Sequence, residues 1–385
     1  MKIGVLKENK SNESRVIATP TEAAVLISDG HSVLIQNNAG YEAGFLNEDY
    51  IRVGAKIRNT MEEIYQECDM VVKVKEFFPE EYPLFRPDQI LFACVHPAAN
   101  KEEVDALLQK KVIAFTAEDT HRYGSPNCEV AGKLGALMGV YSLLSINGGS
   151  GKLICGIGGA PSAKVLILGA GIVGKAATEI IASLGAQVTL MDINIGVLRH
   201  CLEVFPHNVQ TAFSNQHTIR ELLPQTDMVI NCVKWPKHRK DHLITKDMLK
   251  EMRKGSVIVD ISADVGGAIE TYRPTTHADP TYEIDGILHY GVDNIPGAAP
   301  HTTSIAYAAS VLPHFRAIAN LGIQEACRRD GYLRRSLTAY KGILTHEETS
   351  VIQSRPWTTP EEVLNLENCD SLDKVPKATS TVAAK

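Results

Sequence analysis

Three glycines, Gly169, Gly171 and Gly174, stand in VLILGAGIVGKAATEIIASLG, directly after an apolar strand-like run and directly before a helix-like one. Glycine there permits a tight turn and lets bare backbone N–H groups approach a pyrophosphate seated on the helix N-terminus. The next apolar run, QVTLMD, ends at Asp192. A carboxylate at that point accepts hydrogen bonds from adenine-ribose hydroxyls and repels a 2′-phosphate. Strand, glycine turn, helix and acid together predict a site for NAD in preference to NADP. The plainer alternative is a glycine turn with no ligand.

Three further residues stand at or near the C-terminal ends of strand-like runs, where open parallel sheets bind ligands. Arg15 follows the first run in KENKSNESRVIATP, Lys75 ends DMVVKVK, and His96 ends ILFACVH. An arginine fork and a lysine point charge suit a small carboxylate, and an imidazole suits proton transfer near neutral pH. Taken singly, each cation is a solvated surface charge and the histidine a structural one; the trio in one crevice is what makes a site. Asp264 ends SVIVDISAD ahead of two glycines. It is expected at the nicotinamide end of the cofactor, ordering a water or an ammonium, with a turn aspartate as the alternative. The sequence shows no His/Cys cluster with metal-ligand spacing.

These residues need elements to hold them. Apolar runs at 2–6, 32–36, 69–75, 90–96 and 112–116 alternate with helix-length segments such as TPTEAAVLISDG, with a threonine cap, and NKEEVDALLQKK. A second set lies at 187–192, 209–213, 227–233, 256–262 and 286–292, after the KVLILG strand. Near-continuous apolar strands separated by helices imply parallel sheets covered on both faces, so the fold class is α/β with two doubly wound parallel-sheet domains. CEVAGKLGALMGVYSLLS (128–145) reads as one long buried helix joining them. GIGGAP in the following segment is no phosphate loop, because a proline and a strand follow instead of a helix; a hairpin or flap is expected. Helical periodicity from about Ser304 closes the fold, and the composition after Gln353 predicts a mobile tail, 354–385.

The chain has 385 residues with a formal charge of −6, which suggests no nucleic-acid or membrane-surface partner. Its longest apolar run is too short and too polar to span a bilayer, and its N-terminus lacks a signal peptide's apolar core. Eight scattered cysteines without a CxxC pair fit a reduced, cytoplasmic setting.

MKIGVLKENKSNESRVIATP, VVKVKE, VHPAA, EVAG, VLILGAGIVGKAA, RPTTHADPTYEIDGILHY and DNIPGAAPHTTS together resemble the alanine dehydrogenase and pyridine nucleotide transhydrogenase family, over residues 1 to about 350. The resemblance implies a discontinuous, flavodoxin-like substrate domain, 1–128 plus 304–350, and a Rossmann NAD-binding domain, 129–303. It further implies a homo-oligomer, commonly a hexamer, a small amino acid or 2-keto acid as substrate, and reversible oxidative deamination of L-alanine. Arg15 falls on the family's carboxylate-binding arginine, Lys75 on its substrate-binding lysine, His96 on the catalytic histidine and Asp264 on the aspartate that handles water and ammonia. Gly169, Gly171, Gly174 and Asp192 fall on pyrophosphate and ribose positions, and Ser214, Val233 and Asn294 on further cofactor-lining ones. The chain departs from the pattern at Cys128 (usually serine), at Ile295 and His301 (methionine and arginine beside the substrate cleft), at Val197 (a basic residue), and in a basic, bulky loop, CVKWPKHRKD. Two other functions use the same parts. One is opine-type reductive condensation of a 2-keto acid with an amino acid or diamine; the other is a nicotinamide-binding sensor without turnover.

Overall fold

The computed structural model describes residues 1–122, 124–236, 239–367 and 369. It divides into two compact units, Met1–Pro126 with the chain from Ala299 onward, and Asn127–Ala298. Strands β1 (Lys2–Val5), β2 (Ser32–Gln36), β3 (Lys56–Arg58), β4 (Met70–Val72), β5 (Ile90–Ala93) and β6 (Ile113–Thr116) belong to the first unit. The second holds β7 (Lys164–Leu168), β8 (Gln187–Asp192), β9 (Val209–Phe213), β10 (Met228–Asn231), β11 (Val257–Asp260), β12 (Thr281–Ile284) and β13 (Ile287–Tyr290). The returning chain adds β14 (Leu337–Tyr340) and β15 (Ile343–Leu344) to the first.

In the first unit the order is β15-β14-β6-β5-β4-β1-β2-β3. The six from β6 to β3 run parallel, and β14 and β15 pair antiparallel at the β6 edge. Without the short β3, the parallel part reads in the flavodoxin-like sense, with the strand order reversing between β1 and β4. Alternate side chains take opposite faces. Val33 and Ile35 of β2 enter one core with Ile3, Val5, Phe92 and Phe315, and Leu34 enters the other with Val71, Leu91 and Val95.

The second sheet runs β12-β13-β11-β10-β7-β8-β9, parallel except for β12 on β13. Its two faces are likewise both covered: Val165 and Ile167 lie in one core, Leu166 and Leu168 in the other. This is the Rossmann order, with its reversal between β7 and β10.

Local chemistry accounts for the helices. Thr19 caps Pro20–Ser28 through Thr21 N–H, and the Glu22 carboxylate accepts the Thr19 N–H at 2.9 Å, a reciprocal capping box. The long helix is Pro126–Ser142. Contrary to expectation it is not buried all round: Leu137 and Tyr141 are about half exposed. Its small residues face inward because the partner backbone is too close for a side chain, and a Cβ at Gly132 would sit 2.3 Å from the Val173 carbonyl oxygen. In the segment after it, Ile157 and Ala160 exchange two backbone hydrogen bonds around Gly158 and Gly159, a tight hairpin. Helix Pro300–Leu321 begins earlier than its periodicity suggests and buries Tyr307, Val311, Phe315 and Ile318 in the first unit.

The expected mobile tail also needs correcting over its first part. Thr359 caps a turn at Pro360–Val363, Glu361 pairs with Arg334 at 2.7 Å, and Leu364 enters the first unit's core. Residues 368 and 370–385 of that tail lie outside the described residues.

Candidate functional site

In the first unit, the loops leaving β1, β4 and β5 lie at the sheet's topological switch. Two expected strand ends move: β4 stops at Val72 and β5 at Ala93, so Lys75 and His96 sit in the loops beyond. The backbones stay in register a little longer, Lys73 N–H reaching Phe92 O at 3.2 Å and Cys94 N–H reaching Val74 O at 3.1 Å.

Arg15 is 2% exposed, in spite of its charge. Its Nε donates to Glu13 Oε1 at 2.7 Å and its Nη2 to Glu13 Oε2, the bidentate geometry in which a buried arginine is best compensated. Burial works against the Glu13 charge, but Arg15 more than offsets it and Lys75 adds to the pull, so the carboxyl lies below the ordinary range. Arg15 and Lys75 share a neighbour in Cys94. Burial pushes that thiol far up and Glu118 adds to the effect, while Lys75 and Arg15 oppose it. Tyr307 Oη lies 3.1 Å from the Cys94 sulfur.

His96 adopts φ +48°, a left-handed conformation uncommon for a side chain of this size. Glu118 holds it there. Its Oε1 accepts the His96 N–H at 2.6 Å and lies 3.2 Å from Nδ1. Anchoring Nδ1 on a carboxylate sets the tautomer and leaves Nε2 to exchange protons. The ring is about half exposed. In the first unit Arg15, Lys75 and His96 thus stand on the segments that leave the neighbouring strands β1, β4 and β5.

In the second unit, Gly169 has φ +92° and lies against Cys232 and Val233. A Cβ at Gly174 would fall 1.8 Å from the Gly169 carbonyl oxygen, so only glycine closes this turn. Gly171 is the N-cap of helix Ile172–Ser183, with no side chain satisfying its first N–H groups. A Cβ at Gly171 would meet nothing within 4 Å. The turn is therefore an open cradle of amide donors, suited to a pyrophosphate. Asp192 ends β8, its Oδ2 accepting the Ala170 N–H at 2.7 Å and its Oδ1 the Asn194 N–H at 2.8 Å. Each oxygen keeps a lone pair for a ribose hydroxyl. Ser214 N–H donates to the Asp192 carbonyl, and Val233 N–H to Asn231 Oδ1. These residues fit NAD.

Asp264 lies in the loop past β11, which ends at Asp260 instead of continuing as expected. Two positive φ angles, at Ala263 and Gly266, shape that loop. Asp264 lines a pocket of about 330 Å³ with Trp235, Arg239, His242 and Gly267. Asn294 lies on a separate loop, after β13, buried, its carbonyl accepting from His277 at 3.0 Å. Ile295, expected beside the cleft, is instead 2% exposed and packed in the second unit's core. His301 stacks on Phe45 and donates through Nδ1 to the Ala43 carbonyl at 2.7 Å. Lys237 and His238 of the basic loop lie outside the described residues.

Sequence reasoning missed the carboxylates that hold the cations and the imidazole, Glu13 and Glu118. It also missed Asp260, whose Oδ1 takes Asn231 Nδ2 at 2.9 Å and Ala263 N–H at 3.2 Å. Glu13, two residues from Arg15, was the one with a local signal.

Comparison with known proteins agrees across both units. The family described as alanine dehydrogenase/PNT matches with its N-terminal domain over residues 4–127 and its C-terminal domain over 135–347. The chain is 37% identical over 372 residues to the alanine dehydrogenase of Methanococcus maripaludis, covering 95% of this chain and 100% of that one. It is 38% identical over 373 residues to alanine dehydrogenase 2 of Staphylococcus aureus strain MRSA252, with 95% and 100% covered. Among solved structures, an L-alanine dehydrogenase superposes with a TM-score of 0.87 at 37% identity, over 92% of this chain and 99% of that one. A transhydrogenase from Sinorhizobium meliloti shares the fold, with a TM-score of 0.73 at 21% identity over 90% and 99%. The chain belongs to the alanine dehydrogenase/PNT family.

Proposed function

We propose that this chain is an NAD-dependent amino-acid dehydrogenase that interconverts L-alanine, NAD⁺ and water with pyruvate, ammonium, NADH and a proton. The observation that carries the reading is the match of both units to alanine dehydrogenases over nearly the whole chain. The glycine cradle and the carboxylate at Asp192 support NAD as the cofactor.

NAD supplies the hydride acceptor when it is bound. Arg15 and Lys75 bind the substrate carboxylate, and the Glu13 pair keeps the guanidinium fixed in its buried setting. His96, held at Nδ1 by Glu118, takes a proton from water as it adds to the iminium carbon and returns one as ammonia leaves. Asp264 orders the water and the ammonia. The substrate is small, and a homo-oligomer, as a hexamer, fits the apolar side chains exposed on the second unit, Leu137, Tyr141, Ile146 and Ile157. A cytoplasmic setting fits the eight scattered cysteines; among the described residues no helix is long and apolar enough to cross a membrane.

The test follows nicotinamide absorbance with NADH and pyruvate, adding ammonium or a panel of amino acids and diamines. Turnover with ammonium is expected. Turnover only with a larger amine would establish opine chemistry instead, and cofactor binding with no turnover would establish a sensor.

A further inference from the structure

Beneath the first unit's candidate site lies a buried charged network that the reaction itself does not use. Lys73 is 0% exposed and Glu8 8%. Lys73 Nζ donates to Asn9 Oδ1 at 2.8 Å and Glu81 Oε1 at 2.9 Å, and it lies 3.9 Å from Glu8 Oε2. Glu81 also accepts from Tyr65 Oη at 2.9 Å and Phe78 N–H at 3.0 Å. Glu8 Oε1 accepts the Val74 N–H at 2.5 Å and the Lys75 N–H at 3.3 Å, with Oε2 3.4 Å from the same Lys75 nitrogen.

The placement of these groups gives them a purpose. Glu8 and Asn9 belong to the segment running from β1 to Arg15; Lys73, Val74 and Lys75 leave β4. Beyond Val72 the β4 segment has lost its β1 ladder partner apart from the Leu6 N–H on the Val72 carbonyl. The Glu8 side chain takes over that crosslink. We propose that Glu8 is a positioning residue for the substrate carboxylate: it ties the Arg15-bearing segment to the amides of Val74 and Lys75 and so fixes the two cations relative to each other. This rests on the reading of Arg15 and Lys75 as carboxylate binders.

The link responds to pH. Burial pushes Glu8 up to about 7, with Lys73 and the Val74 amide pulling down and Glu13 and Glu81 pushing up. An ionised carboxylate accepts the two amides strongly; a protonated one accepts them weakly. The grip on Lys75 therefore loosens as pH falls through about 7.

The test is steady-state kinetics of the full-length enzyme in the pyruvate direction. Glu8→Gln raises the KM for pyruvate about tenfold at pH 8 with kcat changed less than about threefold. It leaves NADH affinity unchanged and flattens the rise of KM that the wild type shows from pH 8 to pH 6. Should that variant not fold, Glu8→Asp keeps the charge but falls short of the amides, and raises KM severalfold. A pyruvate KM and pH profile equal to the wild type in the folded variant overturns the proposal. An otherwise intact wild type that does not use pyruvate overturns both this and the functional reading.

Discussion

His96 and Glu118 are joined twice, by a backbone N–H to Oε1 bond of 2.6 Å and by Nδ1 lying 3.2 Å from the same oxygen. One carboxylate thus fixes both the strained backbone of the histidine and the orientation of its ring. Glu118→Gln retains an oxygen for the N–H but loses the charge, and kcat is expected to fall about 10- to 100-fold. NADH titration by fluorescence should be unaltered. His96→Ala goes further, abolishing turnover while leaving NADH binding intact.

The glycine turn makes a steric prediction. With 1.8 Å between a Cβ at 174 and the Gly169 carbonyl oxygen, Gly174→Ala must displace the turn and its amide cradle. NADH affinity should fall at least about tenfold, measured by isothermal titration, with the first unit unaffected. Asp192→Ala is expected to relax the preference for NADH over NADPH, read as the ratio of the two kcat/KM values.

Lys73 provides a stability prediction. Removing one partner of a buried ion pair leaves the other charge uncompensated, at a cost of about 3–5 kcal/mol. Lys73→Met should therefore lower the urea midpoint markedly, since it removes the buried ammonium that lies 2.9 Å from Glu81 and 3.9 Å from Glu8. Lys73→Met with Glu81→Gln should recover part of the loss.

Asp260 predicts how stability varies with pH. Burial pushes its carboxyl up to about 7, with Asn231 and the Ala263 amide opposing, and its Oδ2 is buried without a hydrogen-bond partner. A carboxyl raised in the folded state favours folding fully below its unfolded pKa near 4, and that contribution is lost as pH rises through about 7. Glu8, also raised, acts in the same sense. The stability of Asp260→Asn relative to the wild type should therefore rise between pH 5 and 8, by on the order of 1–2 kcal/mol, in parallel urea titrations.

Much of this architecture was legible because strands buried on both faces are apolar throughout, and the runs at β1, β2, β4 through β11 and β13 announce themselves. The same property blurred the strand ends. Val74 and Val95 are buried past the last ladder pair, so the apolar runs continue where pairing has stopped. The strands β3, β12, β14 and β15 were illegible: β3 (KIR), β12 and β15 are sheet edges that need no continuous apolar run, and β14 is the antiparallel strand next to β15. In the site, glycines and cations were readable from local context. The carboxylates Glu8 and Glu118 were not, since each acts on a segment brought near only by the sheet. Ile295 was placed beside the cleft by the resemblance alone, which does not tell which way a side chain turns, and it turns into the core.

The central claim is that the hydrogen on the amino acid's Cα leaves as hydride. L-Alanine deuterated at Cα, incubated with NAD and the enzyme, should yield pyruvate and NADH carrying one deuterium at the nicotinamide C4, seen by mass spectrometry. NADH formed without the label, or no NADH at all from a folded enzyme that binds the cofactor, would contradict it.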